Sequence, residues 1–145
     1  MRDAPANDHA PAGLQELIGQ FYDRLWNAWD DRAVEVVLSE DFLFRGSLGE
    51  ETYGREGWRT YRDQVRRGAP DFHNEIIQLV VAGDRGATRT RFTGTHHGPL
   101  LGIAGTGQRF AYDGAAFFRA RSGELVEAWV LGDLDALRRQ LTTDM

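Results

Sequence analysis

Apolar residues in the first half of the chain recur with the spacing of amphipathic helices. Between Leu14 and Trp29 they return at every third or fourth position, which predicts a first helix with one apolar face. The same spacing predicts a shorter second helix over residues 32–38 and a third helix over residues 55–67. Gly68 and Pro70 then end the third helix, because both residue types interrupt helical hydrogen bonding.

After residue 70 the pattern becomes that of strands. Runs rich in β-branched and aromatic residues, separated by glycine turns, predict strands over residues 72–82, 87–97, 108–120 and 124–132. A short extended segment at residues 41–45 precedes the third helix, and a last helix follows Asp133. Consecutive strands joined by short turns pair as antiparallel neighbours. We therefore expect an α+β fold with the helices on one side of the sheet.

Composition narrows the classes of function. The 145 residues contain no cysteine, which excludes disulfides, thiolate nucleophiles and cysteine metal sites. The net charge is −5 and the 17 basic residues are scattered, so neither nucleic acid nor a membrane is an expected partner. No apolar run is long enough to span a bilayer, and we expect a cytoplasmic protein. Residues 1–12 are interpreted as a flexible leader and residues 13–145 as a single domain.

Aromatic residues are abundant for this length. Four Trp, four Tyr and eight Phe supply large apolar areas and flat faces. They suit either a tightly packed core or a pocket for one flat, apolar molecule, and the sequence leaves both interpretations open.

Four segments, in this order along the chain, resemble one known family: FYDRLWN at residues 21–27, PDFH at 70–73, GTHHGPLLGI at 94–103 and FFRARSGELVEAWVLGD at 117–133. They are similar to segments of the SnoaL-like polyketide cyclases of the nuclear transport factor 2-like superfamily. The resemblance spans residues 14–141. It implies a cone, in which a curved antiparallel sheet wraps on N-terminal helices around an apolar pocket. It also implies a homodimer.

The resemblance implies that Asp133 is a catalytic residue. It matches the acid that ends the last strand and acts as general acid/base in the family. A carboxylate at the rim of an aromatic pocket is poorly solvated, which raises its pKa toward the range useful at neutral pH. Asp is also a favoured N-cap residue, and Asp133 precedes the last helix. Both interpretations stay open.

His96 is the second candidate catalytic residue, because the family's Gly-Thr-His motif matches this position. A histidine there would shuttle a proton near neutral pH, whereas the alternative is a loop histidine that holds backbone groups. No metal site is expected, since the four histidines of the chain form no helical pair of ligands. No cofactor is expected either.

Further residues are expected to contact the substrate. Strand alternation places Glu127, Trp129, Leu131 and Asp133 on one face, which would line the cavity if Asp133 does. Core packing for Trp129, and an ion pair of Glu127 with Arg89 or Arg119, are the alternatives. The full set of expected substrate-binding residues is Tyr22, Trp26, Asn27, Arg45, Trp58, Arg89, Phe118, Glu127 and Trp129.

The function implied by the resemblance is an aldol-type ring closure by acid/base catalysis on an apolar, polyketide-like molecule. Tyr22, Asn27, Arg45 or His96 would polarise the carbonyl as charge develops on its oxygen. Epoxide hydrolysis, dehydration or isomerisation on the same fold is one alternative. A dimer that binds a small molecule without catalysis is the other.

Overall fold

A computed structural model describes residues 13–142 of the chain. The expectation of a leader over residues 1–12 lies outside the described residues. The N-terminal half contains helix α1 (Leu14–Gln20) with a π-helical continuation (Phe21–Trp26), a 3-10 turn (Asp31–Ala33), helix α2 (Val34–Val37), strands β1 (Leu38–Arg45) and β2 (Glu51–Tyr53) and helix α3 (Gly54–Gly68). The C-terminal half contains strands β3 (His73–Ala82), β4 (Arg85–Thr95), β5 (Arg109–Arg121) and β6 (Glu124–Gly132), and helix α4 (Leu134–Thr142).

The six strands form one sheet in the order β2-β1-β6-β5-β4-β3. The predicted α+β class is confirmed, with one addition. The sheet is mixed, because β1 lies parallel to β6 while all other neighbouring strands are antiparallel. The segment predicted as a short extended piece is an eight-residue strand. It starts at Leu38, because the buried positions from there onward include Phe42 and Phe44, which alternate as in a strand.

The first helix is continuous to Trp26 but changes geometry at Phe21. The wider π-helical turn points Phe21, Tyr22, Leu25 and Trp26 into the core, and each of them is buried. The predicted end at Trp29 is three residues too late, because Trp29 adopts a positive φ of 52°. Its indole N–H donates instead to the carbonyl of Pro70 at 3.1 Å.

The sheet has an inner and an outer face, which the register defines. One row on the inner face joins Phe44, Ala128 and Phe118, all of them buried under the N-terminal helices. The neighbouring row on the outer face joins Arg45, Trp129 and Phe117. Buried residues of the α-helices and of β1, β4, β5 and β6 form one apolar core on the inner face, and β3 packs the partly buried Ile76 and Leu79 against it. Within residues 13–142, no helix is both long and apolar enough to cross a membrane.

Candidate functional site

The interior of the cone is almost filled by side chains. It leaves a cavity of about 10 Å³, about the space that one water molecule requires. The lining residues come from the first helix, β1, α3 and the inner face of the sheet: Phe21, Tyr22, Trp26, Phe44, Ser47, Tyr61, Phe72, Asn74, Phe92 and Val130. We call this space the inner cavity. The aromatic residues thus form mainly a packed core in this structure.

Ring contacts explain why the inner cavity is small. The ring of Phe21 meets those of Tyr22 and Phe118 edge-on, with centroids 5.3 Å and 5.7 Å away. The indoles of Trp26 and Trp58 are also edge-on, at 5.3 Å. Such pairs add stability beyond the area that they bury. Tyr22, Trp26, Trp58 and Phe118 are therefore members of the core, and of these four Tyr22 and Trp26 line the inner cavity.

The polar groups of the interior are neutral hydroxyls and amides. The Ser47 and Tyr112 hydroxyls are hydrogen-bonded at 2.8 Å, and the Tyr61 hydroxyl accepts the Leu48 N–H at 3.1 Å. The Ser47 hydroxyl also lies close to Tyr61 and opposes the rise in the pKa of that phenol. We call Ser47, Tyr61 and Tyr112 the hydroxyl chain. A methyl group at Gly46 would overlap the Tyr61 ring, so this loop needs glycine there.

Burial keeps the interior tyrosines protonated. It raises the pKa of Tyr61 to about 12, and the negative charge of Glu50 adds to the shift. Burial also raises the pKa of Tyr112 and of Tyr22 well above the usual range, although Thr88 opposes the shift at Tyr22. These phenols are therefore hydrogen-bond donors at neutral pH. They are not bases.

Asn27 joins the first helix to β3. Its side-chain amide donates to the Asn74 carbonyl at 2.9 Å, and its oxygen accepts the Asn74 N–H at 2.8 Å. Both polar atoms of Asn27 thus satisfy backbone groups. The Asn27 side chain holds the helix on the sheet, and Asn74, rather than Asn27, is among the residues that line the inner cavity.

A second and larger cavity lies beside the first. Its volume is about 510 Å³, within the range of small-molecule sites. The β1–β2 loop, the end of α3 and the glycine-rich loop over residues 98–107 form its walls, through Leu48, Glu50, Gln64, Arg67, Pro99, Leu100, Leu101 and Gly102. We call this space the outer cavity. It adjoins the hydroxyl chain, since the Leu48 N–H binds the Tyr61 hydroxyl.

His96 is fully buried and holds the glycine-rich loop together. Its Nδ1 lies 2.9 Å from the Thr106 hydroxyl and its Nε2 lies 3.0 Å from the Ile103 carbonyl oxygen. Both ring nitrogens have partners in the loop. This geometry is the one expected of a histidine that holds backbone groups of a loop. His96 therefore positions one wall of the outer cavity and does not itself line either cavity.

Asp133 is exposed and lies outside both cavities. Its Oδ1 accepts the backbone N–H of Ala136 at 3.1 Å, which is the N-cap bond of α4. The expectation that this carboxylate looks into the cone does not match the structure. The physical reason is strand parity, because Asp133 continues the alternate row of β6 that faces away from the helices.

The other members of that row are on the outer face as well. Glu127 forms the ion pair with Arg119 that the sequence left open, at 3.4 Å. Trp129 is 38% exposed, with the Arg45 guanidinium 4.9 Å from its ring centroid. Arg89 is exposed on β4. Glu127, Trp129, Arg45 and Arg89 therefore do not line the interior, contrary to expectation.

Sequence reasoning missed the residues that line the cavities from loops and helix ends. Among them are Glu50 and Arg67 in the outer cavity, and Ser47, Tyr61 and Asn74 in the inner one. Helical periodicity marks Tyr61 as buried, but no local pattern indicates a hydroxyl chain. In residues 13–142, no three His, Asp or Glu side chains converge in a way that could hold a metal ion.

Comparisons with known proteins agree with this fold. A model of the SnoaL-like polyketide cyclase family matches residues 16–141. No curated protein matches the chain. A proposed SnoaL-like polyketide cyclase from Jannaschia sp. CCS1 is 19% identical with a TM-score of 0.84, covering 100% of this chain and 99% of its own.

Two Streptomyces proteins are more similar in sequence. TsrD of Streptomyces laurentii is 29% identical with a TM-score of 0.78, over 89% of this chain and 94% of its own. IdmH of Streptomyces antibioticus, a proposed polyketide cyclase, is 26% identical with a TM-score of 0.77, over 89% and 98%. With the family model covering nearly all of the described residues, the chain belongs to the SnoaL-like polyketide cyclase family.

Proposed function

We propose that this protein is a cofactor-independent enzyme that closes a ring in an apolar, polyketide-like carbonyl compound. Membership of the family supports a small molecule as substrate and an apolar pocket as its site. The observation that carries the proposal is the outer cavity of about 510 Å³, which is lined by Glu50, a carboxylate close enough to Tyr61 of the hydroxyl chain to raise the pKa of its phenol. The reaction class is an intramolecular aldol addition, which requires a base and a donor to the developing oxyanion.

Glu50 is the proposed base, because it is the only carboxylate among the described residues that line the outer cavity. It takes a proton from the carbon next to a carbonyl, and the electron pair of that C–H bond forms the enolate. The enolate carbon then attacks a second carbonyl of the same molecule. The new alkoxide recovers the proton from Glu50, so the cycle is balanced without any other reagent.

Tyr61 is the proposed oxyanion donor. Its oxygen accepts the N–H of Leu48, a residue of the outer cavity wall, and its own O–H group can donate to a ligand oxygen. A neutral phenol in a place with little water stabilises developing negative charge well, because the dipole needs no reorganisation. The sequence contains no lysine, so the alternative route through a lysine Schiff base is closed, which favours the enolate.

Proton exchange tests the first step of this chemistry. The probe is 2-acetylnaphthalene in D₂O, and the measurement is the loss of its methyl proton signal in the NMR spectrum. We expect Glu50→Gln and Tyr61→Phe each to slow the exchange by about 100-fold or more, the usual effect of losing an acid/base or oxyanion group. Matched controls are Glu40→Gln and Tyr53→Phe, whose side chains are exposed and line neither cavity.

The outcomes separate the competing assignments. If exchange survives Glu50→Gln and Tyr61→Phe but is lost in Asp133→Asn, Glu50 is not the base. Asp133, the residue that the family resemblance implies, is then the acid/base. Exchange no faster than in buffer would contradict enolisation and favour the alternative of a binding protein.

The outer face favours a second proposal, that the protein is a homodimer. A continuous outer row of the sheet joins Trp129, Phe117, Ala87 and Val80, and three of these are large apolar residues that are 38–58% exposed. Charged residues of both signs, Glu127 with Arg119 and Arg85, flank this row. An apolar row with its own paired charges is self-complementary, as a two-fold interface requires.

Sedimentation velocity tests the dimer. We expect the wild-type chain to sediment with twice the mass of one chain, and Trp129→Glu to sediment as a monomer. Val36→Glu is the matched control, because Val36 is 61% exposed but lies on α2, away from the sheet. A wild-type monomer over the whole micromolar range, or a dimer unaffected by Trp129→Glu, would contradict the proposal.

A further inference from the structure

Helix α3 carries five arginines, and only one of them lacks a partner among the described residues. The other four are committed to the surrounding structure: Arg55 to the Leu38 carbonyl, Arg59 and Arg62 to Asp31, and Arg66 to the ring of Trp29. Within residues 13–142, Arg67, the last of the five, makes no hydrogen bond or ion pair through its guanidinium. It is also the one that lines the outer cavity. A guanidinium keeps its charge at all physiological pH values, so the cavity holds a permanent cation.

The outer cavity is divided into a polar and an apolar side. Arg67 and Gln64 lie one turn apart on the same side of α3 and supply hydrogen-bond donors. Leu48 and the Pro99–Leu101 segment supply the apolar walls. A cavity with apolar walls and a few placed donors fits an amphipathic ligand better than a wholly apolar one.

The apolar wall is held in an unusual backbone conformation. Leu101 has a positive φ of 53°, a region that leucine rarely adopts. Leu101 and Gly102 form the tip of a tight turn closed by hydrogen bonds between Leu100 and Ile103 in both directions. The buried His96 holds this turn through the Ile103 carbonyl. Strained residues that the surroundings hold in place are concentrated at ligand sites. The turn therefore presents a fixed leucine to the cavity.

We propose that the outer cavity selects ligands that combine an apolar, flat body with a terminal anion such as a carboxylate. The guanidinium of Arg67 binds the anion, with the Gln64 amide as a further donor, and Leu101 contacts the apolar body. Glu50, a carboxylate in the same cavity, repels the anion. The anionic end therefore lies toward Arg67 and the opposite end toward Glu50 and Tyr61. Only the orientation of the ligand rests on the proposed function. The preference for an anionic ligand does not depend on it.

Two fluorescent probes that differ by one anion test the proposal. The anionic probe is 8-anilinonaphthalene-1-sulfonate, and the neutral one is N-phenyl-1-naphthylamine. Fluorescence titration of the full chain should show tighter binding of the anionic probe. We expect Arg67→Gln to weaken the anionic probe about tenfold and to change the neutral one less than twofold. Arg138→Gln is the matched control, because Arg138 is exposed on α4 and lines neither cavity.

Equal affinity of the wild-type chain for the two probes would overturn the proposal. So would an equal loss of both in Arg67→Gln, or a loss of the anionic probe in Arg138→Gln as large as in Arg67→Gln. The exchange of 2-acetylnaphthalene, which carries no anion, tests the proposed function separately. A protein that discriminates between the probes but does not promote exchange would retain the anion site and lose the proposed chemistry.

Discussion

Phe117 and Phe118 are neighbours in β5 and lie on opposite faces of the same sheet. Phe117 is 55% exposed on the outer face, whereas Phe118 is 3% exposed and contacts Phe21 and Tyr22. Both faces carry aromatic residues in cross-strand rows, so composition does not distinguish them. The difference comes from what covers each face, because the N-terminal helices pack only on the inner one. An aromatic row is part of the core where helices pack on it and is an exposed surface where nothing packs on it.

The two faces also differ in the charge of their polar groups. Inner groups such as Ser47 and Tyr112 are neutral and bind one another. Outer groups such as Glu127 and Arg119 are charged and partly exposed. Charges cost free energy when they are removed from water, so they stay on the uncovered face. Neutral donors can be buried if they are paired, and Tyr61, the proposed oxyanion donor, is a group of this kind.

Truncation of the neighbouring phenylalanines tests the comparison most strongly. We expect Phe118→Ala to lower the free energy of unfolding by about 3–5 kcal/mol, because it empties a packed site beside Phe21. Phe117→Ala should cost less than about 1 kcal/mol, since the ring is largely in solvent in the single chain. Urea denaturation below the concentration of any dimer measures both. Equal losses would mean that something also covers the outer face.

Alkaline pH sharpens the comparison at the inner tyrosines. A tyrosine of the unfolded chain loses its proton near pH 10, whereas burial raises the pKa of Tyr61 to about 12 and that of Tyr22 higher still. Between these values the unfolded state binds fewer protons than the folded state. Stability is therefore complete below pH 10 and falls as the pH rises, by up to about 1.4 kcal/mol per pH unit for each buried tyrosine.

Tyr22→Phe isolates one of these contributions. The Tyr22 hydroxyl makes a long contact of 3.5 Å with Thr88, and losing so weak a contact should leave folding at neutral pH normal. Above pH 10 its free energy of unfolding should fall less steeply than that of the wild type, by about 1 kcal/mol per pH unit. Parallel curves for the two proteins would show that Tyr22 gains access to water in the folded state.

The fold was predictable because its signals are local. Helical spacing located α1 and α3, and glycine turns located β3 to β6, with errors of a few residues at the ends. Alternation also placed Glu127, Trp129 and Asp133 correctly on one face. Alternation did not indicate which face of the sheet the helices would pack on. It relates residues within one strand, whereas helix packing depends on contacts between residues far apart in the sequence. The error at Asp133 follows from that gap.

The outer cavity was not predictable for a related reason. Glu50 is in a loop and Arg67 is at the end of a helix, so strand alternation does not predict the direction of either side chain. They meet because β1 crosses to the far side of β6 and brings its loop to the end of α3. Five arginines in α3 looked alike in the sequence. Only the surrounding acidic and aromatic side chains separate Arg67 from the other four.

The smallest expected change in stability is at Asp133, which follows the outward-facing row of β6. This change tests whether Asp133 is a helix cap or a catalyst. As an N-cap, its carboxylate satisfies the Ala136 N–H, so Asp133→Ala should lower the free energy of unfolding by about 1 kcal/mol. Asn caps helices as well as Asp does, so Asp133→Asn should leave stability within a few tenths of a kcal/mol of the wild type. An acid/base catalyst behaves in the opposite way, because the amide keeps the hydrogen bond but cannot carry the proton. The pair of variants thus separates the two roles. If Asp133 is a cap, Asp133→Ala is less stable than Asp133→Asn in urea denaturation. If Asp133 is a catalyst, both variants lose proton exchange.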